Sequence, residues 1–314
     1  MSLKDLLTRM LTAAASLAIS LLVIEGSFIV AGFIVKARIE NGHQEKGGVF
    51  RVLCLGDSST YGLGASNRDK YSYPAQLQEL LDKSGMCGKF EVINLGLPGE
   101  NSSQLLGGLE KNISRYKPDM LIVMIGINDS WNLQGSRIIE FYKASPLKRG
   151  LMKLDLVLNK IHLYRFLKLA MISRELDYQT KPASPPYTGF NDLSRAGGFP
   201  YSRKDPGKSQ AFYYCLKYDI MEIAFVARKH RLPVLFMNYH NRGWGSPEIA
   251  LQKIYAWLNL SIVDNRSVFI KAQKEGLNVR SGDGWHPNDL GYSLIAKDVY
   301  DKMLSLRLGN NCVK

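Results

Sequence analysis

The chain has 314 residues, is 46% hydrophobic and contains 28 glycines. That is long and apolar enough to bury a full core, which excludes a disordered chain. Lysine and arginine number 41 against 28 acidic residues, for a formal charge of +13. Such a balance suits anionic lipid or an acidic polymer; no nucleic-acid-binding motif accompanies it, so no nucleic-acid partner is expected.

The N-terminus differs from the rest. Leu11 to Val35 is an apolar run of 25 residues with one charge, Glu25. At about 1.5 Å per residue a helix of that length crosses a hydrocarbon core of about 30 Å. The apolar region of a cleaved signal peptide has only about 7 to 15 residues, so an uncleaved anchor over residues 1–38 is the preferred reading and cleavage near Val35-Lys36-Ala37 its rival. Lys4 and Arg9 precede the run and Lys36 and Arg38 follow it, which leaves little asymmetry for the positive-inside rule. The N-terminal amine tips the choice toward a cytoplasmic start and a domain facing the periplasm or cell exterior. A carboxylate such as Glu25 is costly inside a bilayer and commonly faces protein or water. Gly26, Ser27, Ala31 and Gly32 beside it would let another membrane protein approach, so an integral membrane partner is one expectation.

A polar linker, residues 39–49, leads into alternating strand and helix signals. Strands are expected at Phe50–Leu55, Phe90–Leu95, Leu121–Ile125, Pro233–Met237 and Leu260–Val263. Helices are expected at Tyr73–Leu81, Asn101–Tyr116, Gln210–His230, Pro247–Leu258 and Leu290–Leu306. This order implies a three-layer α/β/α domain over 50–314, with a doubly wound parallel sheet of flavodoxin-like type and right-handed crossovers. Ligands in such folds bind beyond the carboxyl ends of the strands.

Residues 130–209 interrupt the pattern as an insertion. Ile138 to Leu176 has helical spacing, and Lys143 to Lys181 carries nine Lys/Arg against three Asp/Glu. Thr180 to Lys208 is rich in proline, glycine and aromatic residues and reads as an irregular cap over the site. Cys54, Cys87, Cys215 and Cys312 form no Cys-x-x-Cys or Cys/His cluster, so neither a metal site nor a cofactor is called for. Cys54 reads as a small buried hydrophobe.

The chemistry lies where strands end. Gly56-Asp57-Ser58 follows the first strand, Asn94-Leu95-Gly96 the second, and Gly126-Ile127-Asn128-Asp129 the third; Asp283-Gly284-Trp285-His286-Pro287 comes near the C-terminus. A serine attacks an ester only when a base removes its proton and a carboxylate orients that base. Each block alone reads equally well as a turn or a helix cap. Together and in this order they resemble the SGNH hydrolase superfamily, the GDSL esterase/lipase family. The resemblance covers roughly residues 50–130 and 210–307. It implies Ser58 as nucleophile, His286 as general base and Asp283 as its orienting carboxylate, with an oxyanion hole from the N–H groups of Ser58 and Gly96 and the Asn128 amide. No Gly-x-Ser-x-Gly elbow surrounds Ser58, which argues against the α/β-hydrolase fold.

The resemblance therefore implies a serine esterase acting on acyl, most simply acetyl, groups of an exported glycan or lipid-linked sugar. The same machinery would serve an O-acyltransferase working with a membrane partner. A noncatalytic glycan-binding scaffold is the third reading, and the intact blocks weigh against it. Asn128-Asp129-Ser130 is also an N-glycosylation acceptor pattern on the proposed oxyanion asparagine, so a bacterial inner-membrane protein is the expected source.

Overall fold

The computed structural model describes residues 3–41, 48–85, 88–130, 132–158, 161–164, 166–167, 206–240, 248–306 and 308. The chain divides into two compact units, one joining the N-terminal residues through Asn41 to an internal segment that begins at Ser145, the other containing the sheet.

In the first unit, α1 spans Leu3–Asn41. Its stretch Lys4–Ala31 is long and apolar enough to cross a membrane, and its apolar side chains, Leu17, Leu22 and Val30 among them, stand exposed. The internal segment contributes residues 146–158 and a shorter helical stretch from His162. Here the expectation for Glu25 is corrected. Its carboxylate accepts from the backbone N–H groups of His162 and Leu163, each at 2.9 Å, and lies 2.8 Å from His162 Nδ1. The partner that satisfies this carboxylate belongs to the same chain.

The second unit is built on β1 (Val49–Gly56), β2 (Lys89–Gly96), β3 (Met120–Met124), β4 (Val234–Met237) and β5 (Ile262–Val263). All pairings are parallel, in the order β2-β1-β3-β4-β5. The central strands are apolar because helices cover both faces: β3 is buried throughout, and Val52 to Leu55 of β1 are buried as well.

The remaining helices of both units are, in chain order, α2 (Ser58–Tyr61), α3 (Arg68–Tyr71), α4 (Tyr73–Lys83), α5 (Ser102–Tyr116), α6 (Ile138–Lys143), α7 (Pro146–Leu158, the segment above), α8 (Pro206–Lys229), α9 (Glu248–Leu258), α10 (Asn265–Lys274) and α11 (Asp289–Ser305). α4 packs with α11 and α11 with α10; α5, α6 and α9 pack around α8. The chain steps one way from β1 to β2 and the other way from β2 to β3, so right-handed crossovers place α4 and α5 on opposite faces. The direction of winding changes between β1 and β3, and the crevice of a doubly wound sheet opens there.

Two elements depart from the sequence reading. The helical run expected from Ile138 breaks after Lys143, and Pro146 opens α7, where its missing N–H costs nothing. α10 was not anticipated; Asp264 caps it by accepting from Ser267 N–H. Cys54 and Cys215 are buried free thiols, as a core residue in β1 and in α8 respectively. Cys87, Cys312 and residues 180–205 of the expected cap lie outside the described residues, while its last residues, 206–208, open α8 as helix.

Candidate active site

Gly56 ends β1 with φ +152°, and a Cβ there would lie 2.2 Å from the Met124 carbonyl oxygen. Only glycine lets β1 and β3 close together at this point. Asp57 follows, buried, and caps α2 by accepting from Ser59 N–H at 2.9 Å. Ser58 is therefore the first residue of α2, where backbone N–H groups lack helical acceptors. No described residue accepts from Ser58 N–H.

The candidate base, His286, comes from a local loop. Arg280 pairs with Pro287 in an antiparallel bridge, and Ser281 N–H donates to His286 O at 2.9 Å. Inside the loop Asp283 Oδ1 accepts from the Ser281 hydroxyl (2.6 Å) and from Trp285 and His286 N–H (2.8 and 2.9 Å). Asp283 Oδ2 lies 2.6 Å from His286 Nδ1, and His286 Nε2 lies 2.9 Å from Ser58 Oγ. Partial burial works to raise the Asp283 pKa, but the bonds from Ser281, His286 and Trp285 outweigh it and hold the carboxyl well below the usual range. Asn288 then caps α11 through Gly291 N–H and fastens the loop to Asn278.

Asn128 opens the 3₁₀ turn after β3 and is buried. Its Nδ2 donates to Glu100 O at 2.9 Å, and Asn132 Nδ2 donates to Gly99 O at 2.7 Å, so the two loops that follow β2 and β3 are tied together. Gly96 behaves differently from expectation. Its N–H already donates to Asn94 Oδ1 at 2.9 Å, and a Cβ on it would lie 2.1 Å from Tyr61 N. The close approach of α2 explains this glycine. Gly99, at φ +81° in a turn closed by Glu100 N–H on Leu97 O, has no described acceptor for its own N–H. The Pro98-Gly99 pair was the readable signal, since proline then glycine favours a type II turn.

Behind this surface lies a layer of acids, Asp57, Asp129 and Asp219 buried and Glu100 half-buried. Burial pushes Asp57 up to about 6, against hydrogen bonds from Tyr239 and Ser59 that favour its charge. Burial, then the charge of Asp57, lifts Glu100 to about 8. Ser102 Oγ contacts both Asp129 and Asp219, and Ser103 also donates to Asp219. One hydroxyl hydrogen cannot serve two carboxylates, so one of these acids carries a proton. Burial, with the neighbouring Asp219 adding to it, places Asp129 at about 7. His240 Nε2 lies 2.9 Å from Trp285 O; burial lowers this histidine to about 4 despite that bond, so it is neutral and donates from Nε2.

The model of the GDSL-like lipase/acylhydrolase family matches residues 54–168, from the strand that precedes Ser58 through the Asn128 turn. Over that stretch, little more than a third of its length, the chain is similar to the GDSL-like family. An acetylxylan esterase of Xylanibacter ruminicola is 35% identical to this chain over 81 residues, which cover 26% of the chain and 17% of that relative. The chain thus spans about a sixth of the length of the curated relative it matches. Among solved structures, a variant of an acetyl xylan esterase from Geobacillus stearothermophilus superposes with a TM-score of 0.48 at 16% identity, covering 84% of this chain and 97% of that one. A two-domain esterase active on acetylated mannans gives 0.48 at 15% identity, over 87% and 53% of the two chains. Among the described residues, no group of three or more His, Cys, Asp or Glu is placed to hold a metal ion.

Proposed function

We propose that this protein is a membrane-anchored serine esterase that removes acetyl groups from a carbohydrate outside the cytoplasm. The observation that carries the reading is the continuous line from Asp283 through His286 to Ser58 at the carboxyl edge of the sheet. His286 Nε2 accepts the Ser58 proton as Oγ attacks the acyl carbonyl, and Asp283, held ionised, stabilises the imidazolium that forms. The oxyanion is met by Ser58 N–H and by the Asn128 amide. Since Gly96 N–H is engaged by Asn94, the remaining backbone donor is assigned to Gly99, in the turn tied to Asn128. His286 returns its proton to the leaving alcohol, and water, activated by the same base, releases acetate from Ser58.

Two features favour a carbohydrate. The relative that shares 35% identity over part of this chain is an acetylxylan esterase, and the Trp285 ring stands 54% exposed next to His286, a flat apolar surface on which a sugar ring can stack. α1 supplies the membrane attachment, with the catalytic unit assigned to the periplasmic or outer side.

The test is release of acetate from p-nitrophenyl acetate and from acetylated xylan by full-length protein in detergent, with mass spectrometry of Ser58. Ser58→Ala should abolish both turnover and the acyl-enzyme; near-normal turnover by Ser58→Ala would sink the mechanism. An acyl-Ser58 that water leaves intact and a sugar hydroxyl discharges would make the protein an O-acyltransferase.

A further inference from the structure

A carboxylate in the middle of an apolar helix asks what satisfies it, and the answer lies 137 residues away along the chain. His162 and Leu163 begin a helical stretch whose first backbone N–H groups have no helical acceptor; both donate to Glu25. Within a bilayer such N–H groups have no water to turn to, and an unpaired carboxylate is costly as well. Joined, each removes the other's penalty. Next to this junction Phe166 packs on Phe28 of α1, with ring centroids 5.7 Å apart. Whatever medium surrounds the middle of α1 therefore surrounds Phe166.

α7 extends the same apolar character. Leu147, Leu151 and Leu154 follow i, i+4, i+7 spacing, and with Val157 they are all more than half exposed. Lys148 and Lys153 stand exposed among them. An apolar stripe with interspersed lysines is the pattern of a helix lying in the interface of an anionic bilayer.

We propose that residues 146–167 are a second membrane-contacting segment, a helical element seated in the same bilayer as α1 and fastened to it by Glu25. The inference rests on α1 being a membrane helix and is independent of the esterase reading. It also gives α1 a structural duty in the mature protein, since cleavage after Val35 would remove the acceptor that holds His162 and Leu163.

The experiment uses full-length protein carrying Cys87→Ser and Cys312→Ser, reconstituted in phosphatidylethanolamine/phosphatidylglycerol vesicles. Single substitutions Leu22→Cys, Leu151→Cys, Leu154→Cys and, as an exposed control on α4, Asp82→Cys are labelled with an environment-sensitive fluorophore. Lipids with spin labels on their acyl chains then quench whatever lies in the bilayer. Quenching at positions 151 and 154 within about twofold of that at 22, with position 82 unaffected, is expected for interfacial burial. Glu25→Ala should keep the quenching at 22 and reduce that at 154 severalfold, whereas Glu25→Gln, which retains an acceptor oxygen, should largely restore it. Quenching at 22 with none at 151 and 154 overturns the inference while sparing the anchor. No quenching at 22, or a mature chain that begins after residue 35, overturns both.

Discussion

The Tyr239 hydroxyl donates to the Asp57 carboxylate, joining the residue that follows β4 so closely to the residue that presents Ser58 that both are buried completely. Tyr239 is also within reach of Ile127 N–H, one residue before Asn128. A single phenol thus braces the turns on both sides of the switch point. Tyr239→Phe should destabilise the protein by about 1–3 kcal/mol, the cost of leaving a buried acceptor short of a donor, seen as a lower urea midpoint with unchanged slope. The folded-state pKa of Asp57 lies above its unfolded value, so stability falls as pH rises through about 6. Removing the donor that favours the charged form deepens that fall, and the penalty should be larger at pH 7 than at pH 5.

Asn128→Ala should lower kcat about 10²–10³-fold, the cost of one oxyanion donor, with KM for p-nitrophenyl acetate nearly unchanged. The same substitution frees the Glu100 carbonyl, so a modest loss of stability accompanies it. A kcat within twofold of wild type would remove Asn128 from the mechanism. Because the Gly96 N–H is bonded to Asn94, Asn94→Ala should disturb the packing beside α2 without matching that loss of turnover.

Trp285 is held in the 280–287 loop through its backbone, which donates to Asp283 and accepts from His240, while the residue stands more than half exposed. Trp285→Ala preserves those backbone bonds. It should raise KM for acetylated xylan about tenfold, the loss of one stacking contact of about 1–1.5 kcal/mol, and leave p-nitrophenyl acetate kinetics within twofold. Equal effects on both substrates would mean that the ring positions the loop instead.

Glu100 is the clearest source of a pH-dependent stability. Its folded pKa, about 8, lies above the unfolded value, so the native state binds the extra proton and stability declines as pH rises toward and through 8. Glu100→Gln keeps the backbone carbonyl that Asn128 uses and removes the titration. The variant should be more stable than wild type at pH 8.5, by urea midpoint, and the difference should shrink at pH 5. A difference independent of pH would show that the Glu100 carboxyl stays ionised in the folded protein.

How far these relationships could be read from the sequence depends on their range. Strands such as Met120–Met124 are legible because a parallel strand covered on both faces is a continuous apolar run. Ser58, Asn128, Asp283 and His286 are legible because each sits in a short block after a strand or before a helix. α10 is hard to read because its pattern is faint: of its apolar residues Phe269 and Ala272 are buried while Val268 and Ile270 are only half-buried. The role of Gly96 is not legible, because a glycine required by an approaching backbone and a glycine offering an N–H look alike in sequence; the bond to Asn94 and the contact with Tyr61 come only from the fold. The partner of Glu25 was out of reach because nothing local to Glu25 or to His162 announces the other.

The 280–287 loop closes on itself, with Asp283 three residues before His286 and the Arg280–Pro287 bridge at its neck. His286 and Asp283 therefore sit together in one closed loop, which His240 holds at the Trp285 carbonyl, and the 2.9 Å contact from His286 to Ser58 is its joint with α2. Shifting the loop as a body would open this joint while the imidazole kept its tautomer and its counter-ion. The contact with Ser58 could then be broken and remade by displacement alone, with the Asp283–His286 pair left whole.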